Sequence, residues 1–125
     1  MSKPHTREQW QARAAALHIR SQAFIDGRYV DAASGKTFDC ISPIDGKVIV
    51  AVSECGSEDV DRAVGAARRA FDAGSWSESA PVHRKKTLIR FAQLVEQHGE
   101  ELALLESLDM GKPVGDALAV DVAAS

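Results

Sequence analysis

Three tight turns, all within residues 26–46, restrict this chain more than any other feature. Asp26-Gly27 sits between Phe24-Ile25 and Tyr29-Val30. A type I′ turn needs positive φ, which Gly accepts, so Asp-Gly between β-prone residues marks a hairpin. Ser34-Gly35 is a second turn. Phe38, Cys40 and Ile41 then form an extended run that stops at Ser42-Pro43. Asp45-Gly46 is a third turn, followed by Val48-Ile49-Val50-Ala51-Val52. Strands this short make small antiparallel ribbons, and such ribbons rarely stand alone.

Both flanks read as helical. Thr6 can cap a short helix in which Trp10, Ala14 and Leu17 form one apolar stripe, so this arm lies on something else. Ser57 is the expected N-cap of a long helix with Glu58, Asp59 and Asp61 near its start. Val60, Ala63, Val64, Ala67, Ala70 and Phe71 recur at helical spacing, and Gly74 closes the helix as a left-handed residue. Pro81 opens the next helix, whose apolar face is Leu88, Phe91, Ala92, Leu94 and Val95. Gly99 interrupts it. Leu102, Leu105 and Leu108 then share one side of a helix that Gly111-Lys112-Pro113 ends, and 114–124 reads as a further helix. That last helix stops without a glycine or a basic final turn, which reads as the front part of a longer protein.

Composition excludes several classes. A chain of 125 residues is about one domain or a piece of one. At 13.4 kDa, a compact fold would expose about 6,500 Å². Hydrophobic residues are 45% and charged residues 26%, too apolar for a disordered tail. A net charge of −3 argues against nucleic acid as a partner. No apolar run is long enough to span a membrane, and residues 1–10 carry no signal peptide, so the expected location is cytoplasmic. Cys40 and Cys55 are then expected as small buried hydrophobes with no disulfide framework.

No chemistry-bearing motif stands out. Gly111-Lys112-Pro113-Val114-Gly115 follows a helix rather than a strand and is not a dinucleotide loop. His5, His18, His83 and His98 are scattered and read as solvated. Arg84, Lys85, Lys86 and Arg90 form a basic patch, either a solvated face or an anion site, with Glu96, Glu100 and Glu101 near enough to pair with it. Asp109 faces the unfavourable end of the helix dipole and needs compensation. It is either a structural cap served by Lys112 or a backbone N–H, or part of a cation-linked site.

Several segments nevertheless resemble, in order and spacing, the N-terminal portion of NAD(P)-dependent aldehyde dehydrogenases. They are Phe24-Ile25-Asp26-Gly27-Arg28-Tyr29, Ser34-Gly35-Lys36-Thr37-Phe38, Ser42-Pro43-Ile44-Asp45-Gly46, residues 57–71, and residues 101–113 with Trp76 and Arg84. The arm, Ser34-Gly35 with Cys40, and residues 109–116 look most like the branch acting on γ-glutamyl-γ-aminobutyraldehyde and 4-guanidinobutyraldehyde.

The resemblance implies an α/β fold, namely the N-terminal fragment of the aldehyde dehydrogenase fold. Short antiparallel β-ribbons are followed by amphipathic helices that pack on a Rossmann-like cofactor domain. Residues 1–21 would be a helical arm and 22–125 the incomplete N-terminal part of the cofactor-binding domain. The family oxidises an aldehyde with NAD or NADP through a cysteine nucleophile, a glutamate base and an asparagine oxyanion donor. All three lie downstream of the matched positions, as do the cofactor residues, so the 125 residues by themselves are expected to be inactive.

Two sites carry over. Backbone oxygens of Cys40, Ile41 and Asp109 match a monovalent cation site for K⁺ or Na⁺. Val120, Asp121 and Ala124 match the wall of the substrate tunnel. Asp121 is either an acid attracting a cationic aldehyde tail or a solvated helix residue. The whole enzyme is expected to be a homodimer or homotetramer. The alternative is a truncated pseudoenzyme or stand-alone helical interaction module.

Overall fold

The computed structural model describes residues 5–125. Residues 1–4, and with them the start of the arm and of the signal-peptide reading, lie outside the described residues. The elements are α1 (Arg7–Ala15), β1 (Ala23–Ile25), β2 (Arg28–Val30), β3 (Thr37–Ile41), β4 (Val48–Ser53), α2 (Ser57–Asp72), α3 (Pro81–Gln97), α4 (Gly99–Met110) and α5 (Val114–Asp116). The last runs directly into a π-helical stretch, Ala117–Val122. Among the described residues no helix is long and apolar enough to cross a membrane.

The ribbons follow their turn chemistry. Asp26 and Gly27 both have positive φ, 54° and 78°, so the first hairpin turns as type I′ and pairs Ala23 with Val30 and Ile25 with Arg28. Gly46, at φ 71°, returns the chain between β3 and β4. This second ribbon pairs Thr37 with Ser53 and Cys40 with Val50, then Ile41 with Val48, so one extra residue bulges at its turn end. The Ser53 and Glu54 amides donate to the Ser21 and Lys36 carbonyls at 2.9 Å, which ties the ribbon to flanking chain.

The helices start and stop largely as the sequence indicates. Thr6 caps α1 reciprocally with Gln9. The arm docks through one carboxylate: Glu100 accepts from Arg13 at 2.5 Å and pairs with His5 at 3.1 Å. Glu100 therefore serves the arm and not the basic patch, while Glu101 pairs with His98 at 3.3 Å. Gly74, φ 69°, closes α2, and Pro81 occupies the first turn of α3.

Three expectations are corrected. The N-cap of α2 is Gly56, not Ser57, because the buried Asp59 side chain reaches back and accepts the Gly56 N–H at 3.0 Å. Cys55 is exposed and Cys40 half-buried, since one lies in the loop before α2 and the other faces an open groove. The 114–124 segment is not one α-helix but widens to π geometry after Asp116.

Burial is thin. Ala103, Leu104 and Ala117 are buried where α4 meets the π-helical stretch, and Ile25 and Ala66 where the first hairpin meets α2. Val60, Val64 and Phe71 of α2, with Leu88, Ile89 and Phe91 of α3, are exposed; Phe71 and Phe91 stand 63% and 64% open. These are the faces that read as core in the sequence.

Candidate functional site

The residues singled out above gather at the C-terminal end of α4. Gly111, at φ 74°, ends the helix, and a Cβ there would lie 3.3 Å from Pro43 Cγ. The turn of the second ribbon therefore sits on the end of α4. That contact sets β3 beside Asp109, whose Oδ1 accepts the Cys40 S–H at 3.3 Å. The carboxylate, by its hydrogen bond first, with burial adding, pushes the Cys40 thiol above its ordinary pKa. A raised thiol is a poor nucleophile, in keeping with reading Cys40 as structural.

Asp109 finds its partner in a thiol and not in Lys112. The Lys112 ammonium instead binds Asp121 Oδ2 at 2.5 Å across the Gly111–Pro113 turn. Asp121, together with Glu106 and Asp116, raises the Lys112 pKa and keeps it cationic. Val120 and Ala124, the other positions expected to line the tunnel, are both exposed. Ser125 Oγ closes its end by donating to the Asp121 carbonyl at 2.7 Å.

Of the cation set, Cys40 and Asp109 come together, and Ile41 lies beside the bulge. The contact joins the Cys40 thiol to the Asp109 carboxylate, not the backbone oxygens expected to hold the cation. Among the described residues no cluster of three His, Cys, Asp or Glu side chains could hold a metal. An apolar groove opens next to this point, lined by Ile49, Val50, Val52, Leu102 and Leu105, with Arg20 and Glu106 among its polar members.

Residues that sequence reasoning missed act at a distance in the chain. Arg84 leaves the basic patch: its guanidinium donates to the carbonyls of Trp76, Ser77 and Ser79 and clamps the loop before α3. Asp59 bonds the Ala33 amide at 2.9 Å, joining α2 to the loop after the first hairpin. The Lys112–Asp121 pair spans a proline-broken turn whose geometry no sequence spacing supplies.

Comparison with known proteins places the site in a frame. The family model described as "Aldehyde dehydrogenase family" matches residues 29–125. An aminoacetaldehyde dehydrogenase of Pseudomonas aeruginosa is 43% identical over 122 residues, covering 98% of this chain and 25% of that protein. The P. syringae indole-3-acetaldehyde dehydrogenase AldA, solved with NAD⁺ and IAA, superposes with TM-score 0.93 at 57% identity over 96% of this chain and 24% of its own. A γ-glutamyl-γ-aminobutyraldehyde dehydrogenase from Burkholderia cenocepacia gives TM-score 0.91 at 55% identity, covering 93% and 24%. The chain thus spans about a quarter of the length of these proteins and matches their N-terminal part.

Proposed function

Because the chain belongs to the aldehyde dehydrogenase family, we propose that it forms the N-terminal part of an NAD(P)-dependent enzyme that oxidises an aldehyde to a carboxylate. The observation that carries this reading is a likeness above 50% identity along nearly the whole chain to enzymes of that activity. The open apolar faces of α2 and α3 support it, since the remaining three quarters of such an enzyme would cover them.

The segment contributes walls and not reacting groups. When bound, the nicotinamide supplies the hydride acceptor; the 111–115 stretch follows a helix and does not form a dinucleotide loop. In this reading Val120, Asp121 and Ala124 line the substrate tunnel. The backbone oxygens of Cys40, Ile41 and Asp109 hold K⁺ or Na⁺; the side-chain contact of Cys40 with Asp109 brings the two chain segments together. The whole enzyme is a homodimer or homotetramer.

For the substrate we propose an aminoaldehyde derivative. Two of the compared relatives carry aminoaldehydes in their names, against one named for indole-3-acetaldehyde. Asp121 is not the free acid that a cationic tail would need, because Lys112 already holds it. Recognition of the tail then belongs to other residues.

The test is the intact subunit mass in the source cells, followed by NAD(P)⁺ reduction with a panel of aldehydes. A subunit about four times the 13.4 kDa of this chain, active on aminoaldehydes, is the expected result. A 13.4 kDa subunit without activity would overturn it in favour of an interaction module or pseudoenzyme.

A further inference from the structure

The turn between α4 and the π-helical stretch is fastened on three sides. Pro43 and Ile44 press on Gly111 from the second ribbon. Ser107 Oγ donates to the Lys112 carbonyl at 2.6 Å. The Lys112 ammonium grips Asp121 from above the turn, both side chains about one-third exposed. A π-helical turn is rare and is found frequently at functional sites. Here it persists with Ala117 sealed against α4 and Val122 in contact range of Gly99. Asp121 lies on the wide turn itself, between Val120 and Val122.

We propose that Lys112 is a positioning residue for substrate specificity: by holding Asp121 it fixes the π-helical turn that presents Val120, and just beyond it Ala124, to the aldehyde. The inference rests on the tunnel reading given above. The pair acts through geometry. The two charges neutralise each other, so Asp121 offers no attraction to a substrate ammonium. An arginine could replace Lys112, since it keeps the charge and the reach, whereas a methionine keeps only the apolar stem.

The experiment uses the complete enzyme and three variants, Lys112→Met, Lys112→Arg and Val120→Trp, with propionaldehyde and indole-3-acetaldehyde as short and long probes. Lys112→Met is expected to raise KM for the long probe about tenfold, with kcat and KM for the short probe changed less than about twofold. Amide exchange over 117–122 should quicken in the same variant. Lys112→Arg should restore both. Val120→Trp should also raise KM for the long probe. If Val120→Trp does so and Lys112→Met does not, the role of Lys112 is overturned and the tunnel reading stands. If Val120→Trp is inert, the tunnel reading falls and takes this inference with it. A uniform loss in kcat and both KM values that arginine does not rescue would mark Lys112 as merely structural and overturn the proposal. Should Lys112→Met fail to fold, Asp121→Asn breaks the same pair isosterically, and the same split of KM from kcat decides.

Discussion

Asp59 is 3% exposed and yet ionised, because three donors surround it. Oδ1 accepts the Ala33 amide at 2.9 Å and the Arg62 guanidinium at 3.3 Å, and Oδ2 accepts the Gly56 amide at 3.0 Å. The Ala33 bond foremost, then that to Gly56, lowers its pKa below the ordinary carboxylate value. A carboxylate depressed in the folded state contributes stability above its unfolded pKa of about 3.9 and loses it as pH falls through the folded value. Acid below about pH 4 should therefore loosen the junction of α2 with the loop after the first hairpin. In the complete enzyme, Asp59→Asn should remove that acid-sensitive step and lower the melting temperature at neutral pH by about 2 °C. Circular dichroism against pH and against temperature checks both, and coincident acid transitions in the two proteins would refute the role. Cys40 gives a second residue-scale expectation. Its thiol is protected by Asp109, so iodoacetamide at mildly alkaline pH should label the exposed Cys55 first. Asp109→Asn should speed labelling of Cys40 about threefold, read by peptide mass mapping.

At the scale of elements, Gly111 joins three of them. Its φ of 74° disfavours any side chain, and the Cβ of an alanine would meet Pro43 Cγ at 3.3 Å. Gly111→Ala should cost about 1.5 kcal/mol from the left-handed backbone alone. It should also shift the second ribbon away from α4, which tryptic cutting near Lys47 would report as faster cleavage. The turns that made such elements legible are local. Asp26-Gly27, Gly74 and Pro81 each dictate a backbone conformation without help from distant residues, and each sits where the sequence places it, whereas the break expected at Gly99 falls on His98. Legibility ended where a distant partner decides. Ser57 looks like a cap, but Gly56 takes that place, with Asp59 accepting both its amide and the Ala33 amide 26 residues away. Nothing in Ala117–Val122 distinguishes π from α geometry; the widening accompanies the close seat of Gly99 against Val122 and the tie of Asp121 to Lys112. For the site, the sequence pointed to Cys40, Asp109 and Asp121, but their partners depended on folding. The sequence offers Lys112 as one of several partners for Asp109, three residues away, whereas it bonds Asp121, nine residues away.

The whole molecule exposes 9423 Å², about 2,900 Å² more than a compact protein of its mass. The excess is apolar in large part: Phe24, Val60, Val64, Phe71, Leu88 and Phe91 all stand in solvent. An exposed apolar surface on this scale marks an interface and is otherwise an aggregation liability. The 125 residues purified by themselves should therefore bind ANS, melt over a broad range and self-associate, with sedimentation that depends on concentration. A monomeric two-state melt would contradict this. The same argument assigns opposite signs to one pair of substitutions. Phe71→Ser with Phe91→Ser removes apolar surface from faces that are bare in the 125-residue chain, so it should make that chain more monomeric at little cost. In the complete enzyme those rings would be covered by the rest of the fold. Losing each would then cost about 3–5 kcal/mol, as buried phenylalanines do, and the melting temperature should fall sharply. Improved solubility of the short chain together with a destabilised enzyme identifies the two faces as interior. An unchanged melting temperature in the enzyme would make them true surface and leave α2 and α3 without the partner assigned to them here.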